Sequence, residues 1–230
     1  MTRPSFAAEG VKVPEPDVLD VENALAFWDQ RHRDQGELLS GGDLSFDHAS
    51  NEVFYALRLG RLVDIVGVET APSAPRRMLD AGCGKGYFSR GMSRFGHRVD
   101  GIDASPFAIQ SARQAAGPYE HYAVSTLSEW CPPYLYDVVY CVDVAFHIMD
   151  DPTWADSMRN LAALVRCGGL LVVADHGADE DRIWGAYQKT RARSRYDELF
   201  GGNGLTRRGD FVPYRFRQSP AGLHVFFKDR

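Results

Sequence analysis

Apolar side chains recur at three- and four-residue spacing between Val53 and Val66, a pattern typical of an amphipathic helix. Beyond Pro75 the chain alternates between short apolar runs and segments of helical spacing. These predict, in order, strand 77–81, helix 86–95, strand 97–102, helix 106–115, strands 119–124 and 137–142, helix 151–166 and strand 170–175. Strands separated by helices join through right-handed crossovers, so the pattern predicts a parallel sheet covered on both faces.

The pattern changes again toward the C-terminus. A long polar helix is predicted over 180–200, and a glycine-rich stretch follows it. Two apolar runs, 211–217 and 223–228, then face each other across a turn, and we expect them to pair antiparallel at the edge of the sheet. Residues 1–17, by contrast, contain three prolines and no periodic apolar face, so we expect a mobile tail.

Composition narrows the class of protein. Of the 230 residues, 44% are apolar and 25% are charged, which suits one folded α/β domain with a small appendage. The 26 basic and 31 acidic residues give a net charge of −5, the wrong sign for a chain that binds nucleic acid by neutralising phosphates. No apolar run approaches the roughly 18 residues of a membrane span, and the first residues lack the pattern of a signal peptide. We therefore expect a cytoplasmic protein that binds neither nucleic acid nor a membrane.

The strongest chemical signal lies at residues 79–86, which read LDAGCGKG and join a predicted strand to a predicted helix. Glycines there let the backbone pass close to a bound ligand, and the start of the helix offers free N–H groups. The dinucleotide-binding pattern G-x-G-x-x-G does not fit because Tyr87 follows Gly86, and a phosphate-binding P-loop needs Ser or Thr after Lys85. A carboxylate, Asp103, ends the second predicted strand, where it can accept hydrogen bonds from both hydroxyls of a ribose.

The segment 79–106 resembles the class I S-adenosylmethionine-dependent methyltransferases, as do the fourth strand at 137–139 and the glycine turn at 166–170. The resemblance covers about 76–175 together with the closing strand pair. It implies an α/β fold with a Rossmann-like, doubly wound, seven-stranded and mostly parallel sheet, a C-terminal antiparallel strand pair and an N-terminal helical cover. We accordingly expect the tail at 1–17 and a single methyltransferase domain at 18–230, which comprises the cover at 18–75, the cofactor-binding core at 76–175, and an acceptor lid with the closing strands at 176–230.

The resemblance also implies which residues bind the methionine part of S-adenosylmethionine. Gly82, Gly84 and Gly86 would line it. Asp80, which begins the motif, would support the loop and the amino group of the cofactor. Val142, at the end of the fourth strand, would approach the methionine part through backbone atoms.

The adenosine part is assigned in the same way. The resemblance implies that Asp103 binds the ribose and that Ala104 lies against the adenine. Many family members have an acidic residue near the adenine amino group where this chain has Thr126 followed by Leu127, so adenine recognition would fall to backbone groups or to the Thr hydroxyl. Trp28 resembles an N-terminal aromatic segment that folds over the cofactor in many members, and burial in the core explains it equally well.

Two histidines are candidates for the catalytic base. His147 follows the fourth strand, at the edge of the sheet where open α/β proteins bind ligands, and histidine can accept a proton near neutral pH. The alternative is that His147 only packs the loop. His176, at the end of the fifth strand, is the second candidate. Asp151 receives no catalytic role because, with Pro152, it has the sequence of a helix N-cap.

A divalent metal is a further possibility at this edge. Asp143, Asp175 and His176 could bind Mg²⁺, as some sugar methyltransferases bind a metal to orient two neighbouring hydroxyls. Ordinary hydrogen bonding in the acceptor pocket explains the same three residues and is the simpler interpretation.

The function expected from these features is methyl transfer to a hydroxyl of a small-molecule or oligosaccharide acceptor. A sugar or glycan is favoured because the chain loosely resembles the actinobacterial glycan O-methyltransferases, including those acting on mycobacterial methylmannosides. N- or C-methylation of a secondary metabolite and a non-catalytic cofactor-binding module are the alternatives. The expected partners are therefore the acceptor and, in a homodimer, a second copy of the chain.

Overall fold

The computed structural model describes residues 20–43, 45–69, 75–217 and 219–229, so the tail predicted at 1–17 lies outside the described residues. The elements are, in chain order, α1 (Val21–Asp34), α2 (Glu37–Ser40), α3 (His48–Glu69), β1 (Arg77–Ala81), α4 (Tyr87–Ser93), β2 (Arg98–Asp103), α5 (Pro106–Gln114), β3 (Glu120–Val124), β4 (Tyr136–Cys141), α6 (Asp151–Leu164), β5 (Val165–His176), β6 (Arg182–Trp184), β7 (Gln188–Thr190), α7 (Arg193–Gly201), β8 (Leu205–Arg207), β9 (Val212–Pro213) and β10 (Ala221–Lys228). No helix within these ranges combines the length and the apolar character that crossing a bilayer requires.

The main sheet has the strand order β3-β2-β1-β4-β5-β10-β8. Strands β1 to β5 pair in parallel, and β10 lies antiparallel between β5 and β8. The predicted fold class is confirmed: seven strands form this path, and the two-residue β9 is an additional partner of β10. The chain proceeds outward from β1 in both directions, so its loops part between β1 and β4 and leave the crevice in which open α/β sheets bind ligands.

Both faces of the central strands are buried. On β1, Leu79 faces a cluster that includes Trp154 of α6, whereas the neighbouring Met78 faces one that includes Phe54 of α3 and Phe88 of α4. Successive residues of a strand point to opposite faces, and a sheet covered on both sides therefore consists of near-continuous apolar runs. Strands packed in this way hold the loops at their carboxyl ends in fixed positions.

The helix predicted over 180–200 is wrong in its first half. Strands β6 and β7 form a hairpin there, and only α7 is helical. Gly185 makes the turn in the left-handed region, with φ 64°. Lys189 of the hairpin forms an ion pair with Asp151 at the start of α6, with 2.8 Å between Nζ and Oδ1. Tertiary contacts of this kind override local helix propensity, and the sequence pattern does not contain them.

The N-cap of α6 is Asp150, so the assignment of Asp151 to that position is wrong by one residue. The Asp150 carboxylate accepts a hydrogen bond from the N–H of Thr153 at 2.8 Å, and Pro152 is accordingly the second helical residue. The shift leaves the Asp151 carboxylate free to bind Lys189 and Arg191.

The closing strand pair is shorter than predicted. Of the run 211–217 only Val212–Pro213 pairs with β10, and β8 pairs with the other end of β10. Arg215 and Arg217 have φ values of 54° and 51°, which interrupt the extended backbone that a strand needs.

Candidate functional site

The glycine loop after β1 turns in a way that requires glycine. Gly82, Gly84 and Gly86 have φ values of 82°, 52° and 89°. A Cβ at Gly82 would lie 2.3 Å from a methyl carbon of Val144, which leaves no room for a side chain. The turn brings Gly82 and Gly84 to the wall of a cavity of about 380 Å³ at the split between β1 and β4, whereas Gly86 precedes α4 and lies outside the wall.

Asp103 connects this loop to the next one. Its carboxylate accepts the N–H of Gly84 and the N–H of Ser105, both at 2.9 Å. Each carboxylate oxygen keeps lone pairs for a further donor, and the side chain lines the cavity. The remaining wall includes Ala104, Thr126, Leu127, Val142 and Trp28, all of which the sequence assigned to cofactor binding.

Asp80 does not line the cavity. The side chain is 1% exposed, and its carboxylate accepts the hydroxyl of Ser89 on α4 at 2.5 Å. Burial raises the pKa of Asp80 to about 7, because the charged form loses its hydration. In this structure Asp80 therefore supports the loop by fixing the first turns of α4, and it does not face the space in which a ligand amino group would lie.

Helix α1 covers the cavity and is attached to both loops beneath it. The Asp29 carboxylate accepts the hydroxyl of Ser105 at 2.5 Å and the N–H of Phe107 at 3.2 Å. Lys85 of the glycine loop donates to the carbonyl of Gln35, just after the helix, at 2.7 Å. These bonds hold Trp28 in the cavity wall, so its position as part of a cover agrees with the resemblance and not with burial in the core.

His147 lies in a short 3₁₀ turn after β4, between two aromatic rings. The ring centroids of Trp28 and Phe146 are 4.4 Å and 4.5 Å from its own. Its Nδ1 is 2.9 Å from the backbone oxygen of Tyr187 in the β6–β7 hairpin. A carbonyl oxygen only accepts, so Nδ1 carries the proton and Nε2 keeps its lone pair. Burial lowers the pKa of His147 to about 4.

A second, wider cavity of about 840 Å³ adjoins the first. Residues that line both cavities include Trp28, Arg58, Asp143 and His147. His176 lines only the wider one, and its Nδ1 is 2.8 Å from the hydroxyl of Thr190. The two candidate bases thus differ in place: His147 lines both cavities, whereas His176 lines only the wider one.

The three candidate metal ligands do not come together. Asp175 and His176 are adjacent in β5 and point to opposite faces, as strand neighbours do. The Asp175 carboxylate accepts the hydroxyl of Tyr196 at 2.5 Å and is completely buried, while Asp143 forms an ion pair with Arg58. Within the described ranges no group of three His, Cys, Asp or Glu side chains is placed to hold a metal ion. The metal interpretation is therefore not supported.

Arg58 is a site residue that the sequence reasoning missed. Its side chain is 2% exposed, and its guanidinium carbon lies 4.2 Å and 4.1 Å from the ring centroids of Phe54 and Tyr55. Nη2 is buried without a partner in the described part of the chain, although the side chain lines both cavities. A single arginine on the apolar face of the predicted helix was the available signal, because a buried cation needs a counter-charge.

Together, the doubly wound sheet, the glycine loop after β1 and the carboxylate that ends β2 define a class I methyltransferase fold. The chain belongs to the methyltransferase domain family, whose sequence profile matches residues 53–221. The resemblance seen in the sequence is confirmed at the level of this family.

Individual relatives cover different shares of the chain. A ubiquinone biosynthesis O-methyltransferase from Ralstonia nicotianae is 38% identical over 106 residues, which are 44% of this chain and 43% of that protein. The match thus spans less than half of that relative.

Two solved structures share the fold over nearly the whole chain. Magnesium protoporphyrin IX methyltransferase from Synechocystis, with bound S-adenosylmethionine, has a TM-score of 0.70 at 18% identity, with 92% of this chain and 99% of that chain covered. The N-methyltransferase NodS from Bradyrhizobium japonicum, in complex with S-adenosylhomocysteine, has a TM-score of 0.67 at 18% identity and covers 90% and 100%.

Proposed function

We propose that the protein transfers a methyl group from S-adenosylmethionine to a hydroxyl of a small molecule. The observation that carries the proposal is the place of His147, whose ring lies at the boundary between the cavity of the glycine loop and the wider cavity next to it. A base at that boundary lies between a cofactor and an acceptor. Membership of the methyltransferase domain family and the O-methyltransferase among the relatives support the same reaction.

The residues of the smaller cavity fit this cofactor. S-adenosylmethionine supplies an electrophilic methyl group on a sulfonium. Asp103 would accept the ribose hydroxyls with the lone pairs that the N–H groups of Gly84 and Ser105 leave free. Arg58, with its unpartnered Nη2, would bind the methionine carboxylate, and the Trp28 ring would face the sulfonium. These assignments use side chains that already surround one cavity.

The chemical step depends on one proton. A hydroxyl must lose its proton as it attacks the methyl carbon. Nε2 of His147 carries a lone pair that can accept this proton at the boundary of the cavities. The Tyr187 carbonyl keeps Nδ1 protonated and so holds the ring in the accepting tautomer. With a pKa of about 4, the His147 ring is neutral at neutral pH, and Nε2 can accept a proton. Alignment of the two reactants supplies much of the remaining rate enhancement.

A sugar hydroxyl, which the sequence analysis favoured, remains a prediction. A base whose conjugate acid has a pKa of about 4 is a poor match for an aliphatic hydroxyl and a better match for a more acidic phenol. The wider cavity also has aromatic walls, to which Trp28, Phe146 and Tyr187 contribute. We therefore include phenols with the sugars among the acceptors to be tested.

Two measurements test the proposal. Titration calorimetry with S-adenosylhomocysteine should show binding to the wild-type protein and much weaker binding to Asp103→Ala, which removes the ribose acceptor. Mass spectrometry of acceptor mixtures incubated with S-adenosylmethionine should then show products heavier by one methyl group. If S-adenosylhomocysteine does not bind, the proposed methyltransferase activity is excluded, and only the similarity of fold remains.

A further inference from the structure

Arg31 of α1 is a buried cation that forms no ion pair with any carboxylate in the described part of the chain. It is 9% exposed and lines the wider cavity, whereas it is absent from the wall of the smaller one. Its Nη2 donates to the carbonyls of Leu39 and Gly42 at 2.8 Å and 2.9 Å. Its Nε is buried without a partner, and no carboxylate of the described residues lies within ion-pair distance of the guanidinium. A desolvated charge in this state is costly unless a ligand supplies the opposite charge.

The two carboxylates of this cavity form no ion pair with Arg31, although Asp43 attracts it at longer range. Asp143 is paired with Arg58, and Asp43 uses Oδ1 to accept the N–H and the hydroxyl of Ser45, at 2.8 Å and 2.6 Å. The third guanidinium, that of Arg217, donates to the hydroxyl of Ser50 at 2.6 Å. Three cations and two carboxylates therefore line the cavity, with the surplus on the positive side.

The walls around Arg31 are aromatic. The Arg31 guanidinium carbon lies 5.2 Å from the ring centroid of Trp28, and the same ring is 4.4 Å from that of His147. The further rings of this cavity belong to Phe46, Phe54, Phe146, Trp184 and Tyr187. Rings that line a cavity favour flat, apolar ligands through stacking and edge-to-face contacts. The Arg31 guanidinium and the His147 ring thus both lie close to the Trp28 indole, in a cavity lined by aromatic rings.

Resting on the proposed function, we propose that the acceptor is an aromatic hydroxy acid, whose carboxylate binds Arg31 and whose hydroxyl faces His147. A carboxylate fits better than a phosphate monoester because it brings a single negative charge to a single uncompensated cation. The aromatic ring of the acceptor occupies the space between the two groups, against Trp28. Arg31 is then a specificity-determining residue that selects the acceptor and leaves the cofactor site unchanged.

Binding of a matched pair of probes tests this without turnover. Titration calorimetry compares para-coumarate with its uncharged amide, on protein saturated with S-adenosylhomocysteine and on protein without it. We expect the acid to bind about tenfold or more tightly than the amide, since a hydrogen bond between two charged groups is stronger than one to a neutral group. Glucuronate, with its carboxylate on a sugar ring, should bind at least about tenfold more weakly than para-coumarate because it cannot use the aromatic walls.

Variants assign the preference to Arg31. In Arg31→Gln the acid and the amide should bind equally, while Arg31→Lys, which keeps the charge, should retain part of the preference. Arg159→Gln, which removes an exposed cation on α6, should keep all of it. Affinity for S-adenosylhomocysteine should be the same in every variant, because Arg31 does not line the smaller cavity. A thermal unfolding midpoint for each variant identifies any that do not fold, and Arg31→Lys decides the question if Arg31→Gln is one of them.

Several results would overturn the inference. Equal affinity for acid and amide in the wild type, a preference that survives Arg31→Gln, tighter binding of glucuronate than of para-coumarate, or no binding of any probe each contradicts it. If S-adenosylhomocysteine still binds in such a case, the proposed methyltransferase function stands and only the acceptor class is wrong. If the acid is preferred through Arg31 but S-adenosylhomocysteine does not bind, the acceptor site stands and the proposed reaction is wrong.

Discussion

The backbone oxygen of Tyr187 accepts the Nδ1 proton of His147 across 2.9 Å, although 40 residues separate the two in the chain. This bond fixes the tautomer of a ring that three aromatic side chains surround. Because the oxygen belongs to the backbone, every side chain at position 187 would supply it. The β6–β7 hairpin thus fixes the orientation of the histidine that we propose as the base.

Replacement of His147 tests its role as the base. His147→Ala should lower kcat by about 10²-fold or more, the usual contribution of a positioned base, and leave the affinity for S-adenosylhomocysteine unchanged. The measurement is steady-state kinetics together with titration calorimetry. His176→Ala is the matched comparison: it should raise KM for the acceptor with a smaller loss in kcat, since His176 lines only the wider cavity. The reverse pattern would make His176 the base.

The proposed role of His147 as the base predicts the pH dependence of the reaction. A histidine accepts a proton only in its neutral form, and burial lowers the pKa of His147 from 6.5 to about 4. Activity should therefore be constant from neutral pH down to about pH 5 and fall as the pH passes through about 4, where Nε2 becomes protonated. A profile of kcat against pH at constant ionic strength measures this. An acidic limb with a midpoint at pH 6.5 or above would show that a group with an ordinary histidine pKa controls the rate.

The alternating strands and helices of the core could be predicted because strands buried on both faces appear in the sequence as apolar runs. The buried part of β5, residues 170–174, is a continuous apolar run, and the left-handed backbone at Gly82 and Gly84 admits almost no other residue. The end of β2 fixes Asp103 beside that loop in the same way. For these residues local requirements determine the structure.

The hairpin and the buried cations could not be predicted because long-range contacts determine them. The segment 180–200 is polar enough for a surface helix, and the ion pair of Lys189 with Asp151 is formed only after folding. Arg58 and Arg31 are ordinary helix residues in the sequence, and the buried guanidinium nitrogens that lack a partner among the described residues become visible only when the cavities are present. The same holds for the carbonyl of Tyr187.

The attachment of α1 should affect the cofactor affinity. Asp29→Ala removes the acceptor for the Ser105 hydroxyl and the Phe107 N–H, so the cover should open more often. We expect the affinity for S-adenosylhomocysteine to fall several-fold, which corresponds to the loss of about 1 kcal/mol for such bonds. Asp34→Ala is the control, because among the described residues Asp34 accepts only from the exposed Gln30 on the same helix. Equal affinities for the two variants would show that the attachment does not contribute to binding.

A pair of glycine substitutions separates strain in the loop from a general effect of glycine. Gly82→Ala places a Cβ 2.3 Å from a Val144 methyl carbon at φ 82°, so it should destabilise the fold by about 1–3 kcal/mol and weaken nucleoside binding. Gly67→Ala in α3 meets no atom within 4 Å, and it should stabilise the helix by up to about 1 kcal/mol without affecting binding. Chemical denaturation and calorimetry measure both effects. Normal binding by Gly82→Ala would place the cofactor elsewhere.

The buried carboxylate of Asp175 should matter for stability and not for metal binding. It accepts the hydroxyl of Tyr196 at 2.5 Å and the N–H of His176 at 2.6 Å, and burial raises its pKa to about 6. Tyr196→Phe removes one donor from a fully buried acceptor, so the free energy of unfolding should fall by about 1–3 kcal/mol at neutral pH, where the carboxylate is charged. Tyr119→Phe, at a 53% exposed position, should change it little.

The same geometry determines how the enzyme responds to metal removal. Because the Asp175 carboxylate lies on the opposite face of the strand from His176 and is used by Tyr196, a divalent ion would find at most two of the three ligands that the sequence suggested. Turnover should therefore be the same after treatment with a chelator and after addition of Mg²⁺. Loss of activity with the chelator that Mg²⁺ restores would require Asp175 to turn toward the cavity, and Tyr196→Phe, which frees that carboxylate, should then increase the response to metal.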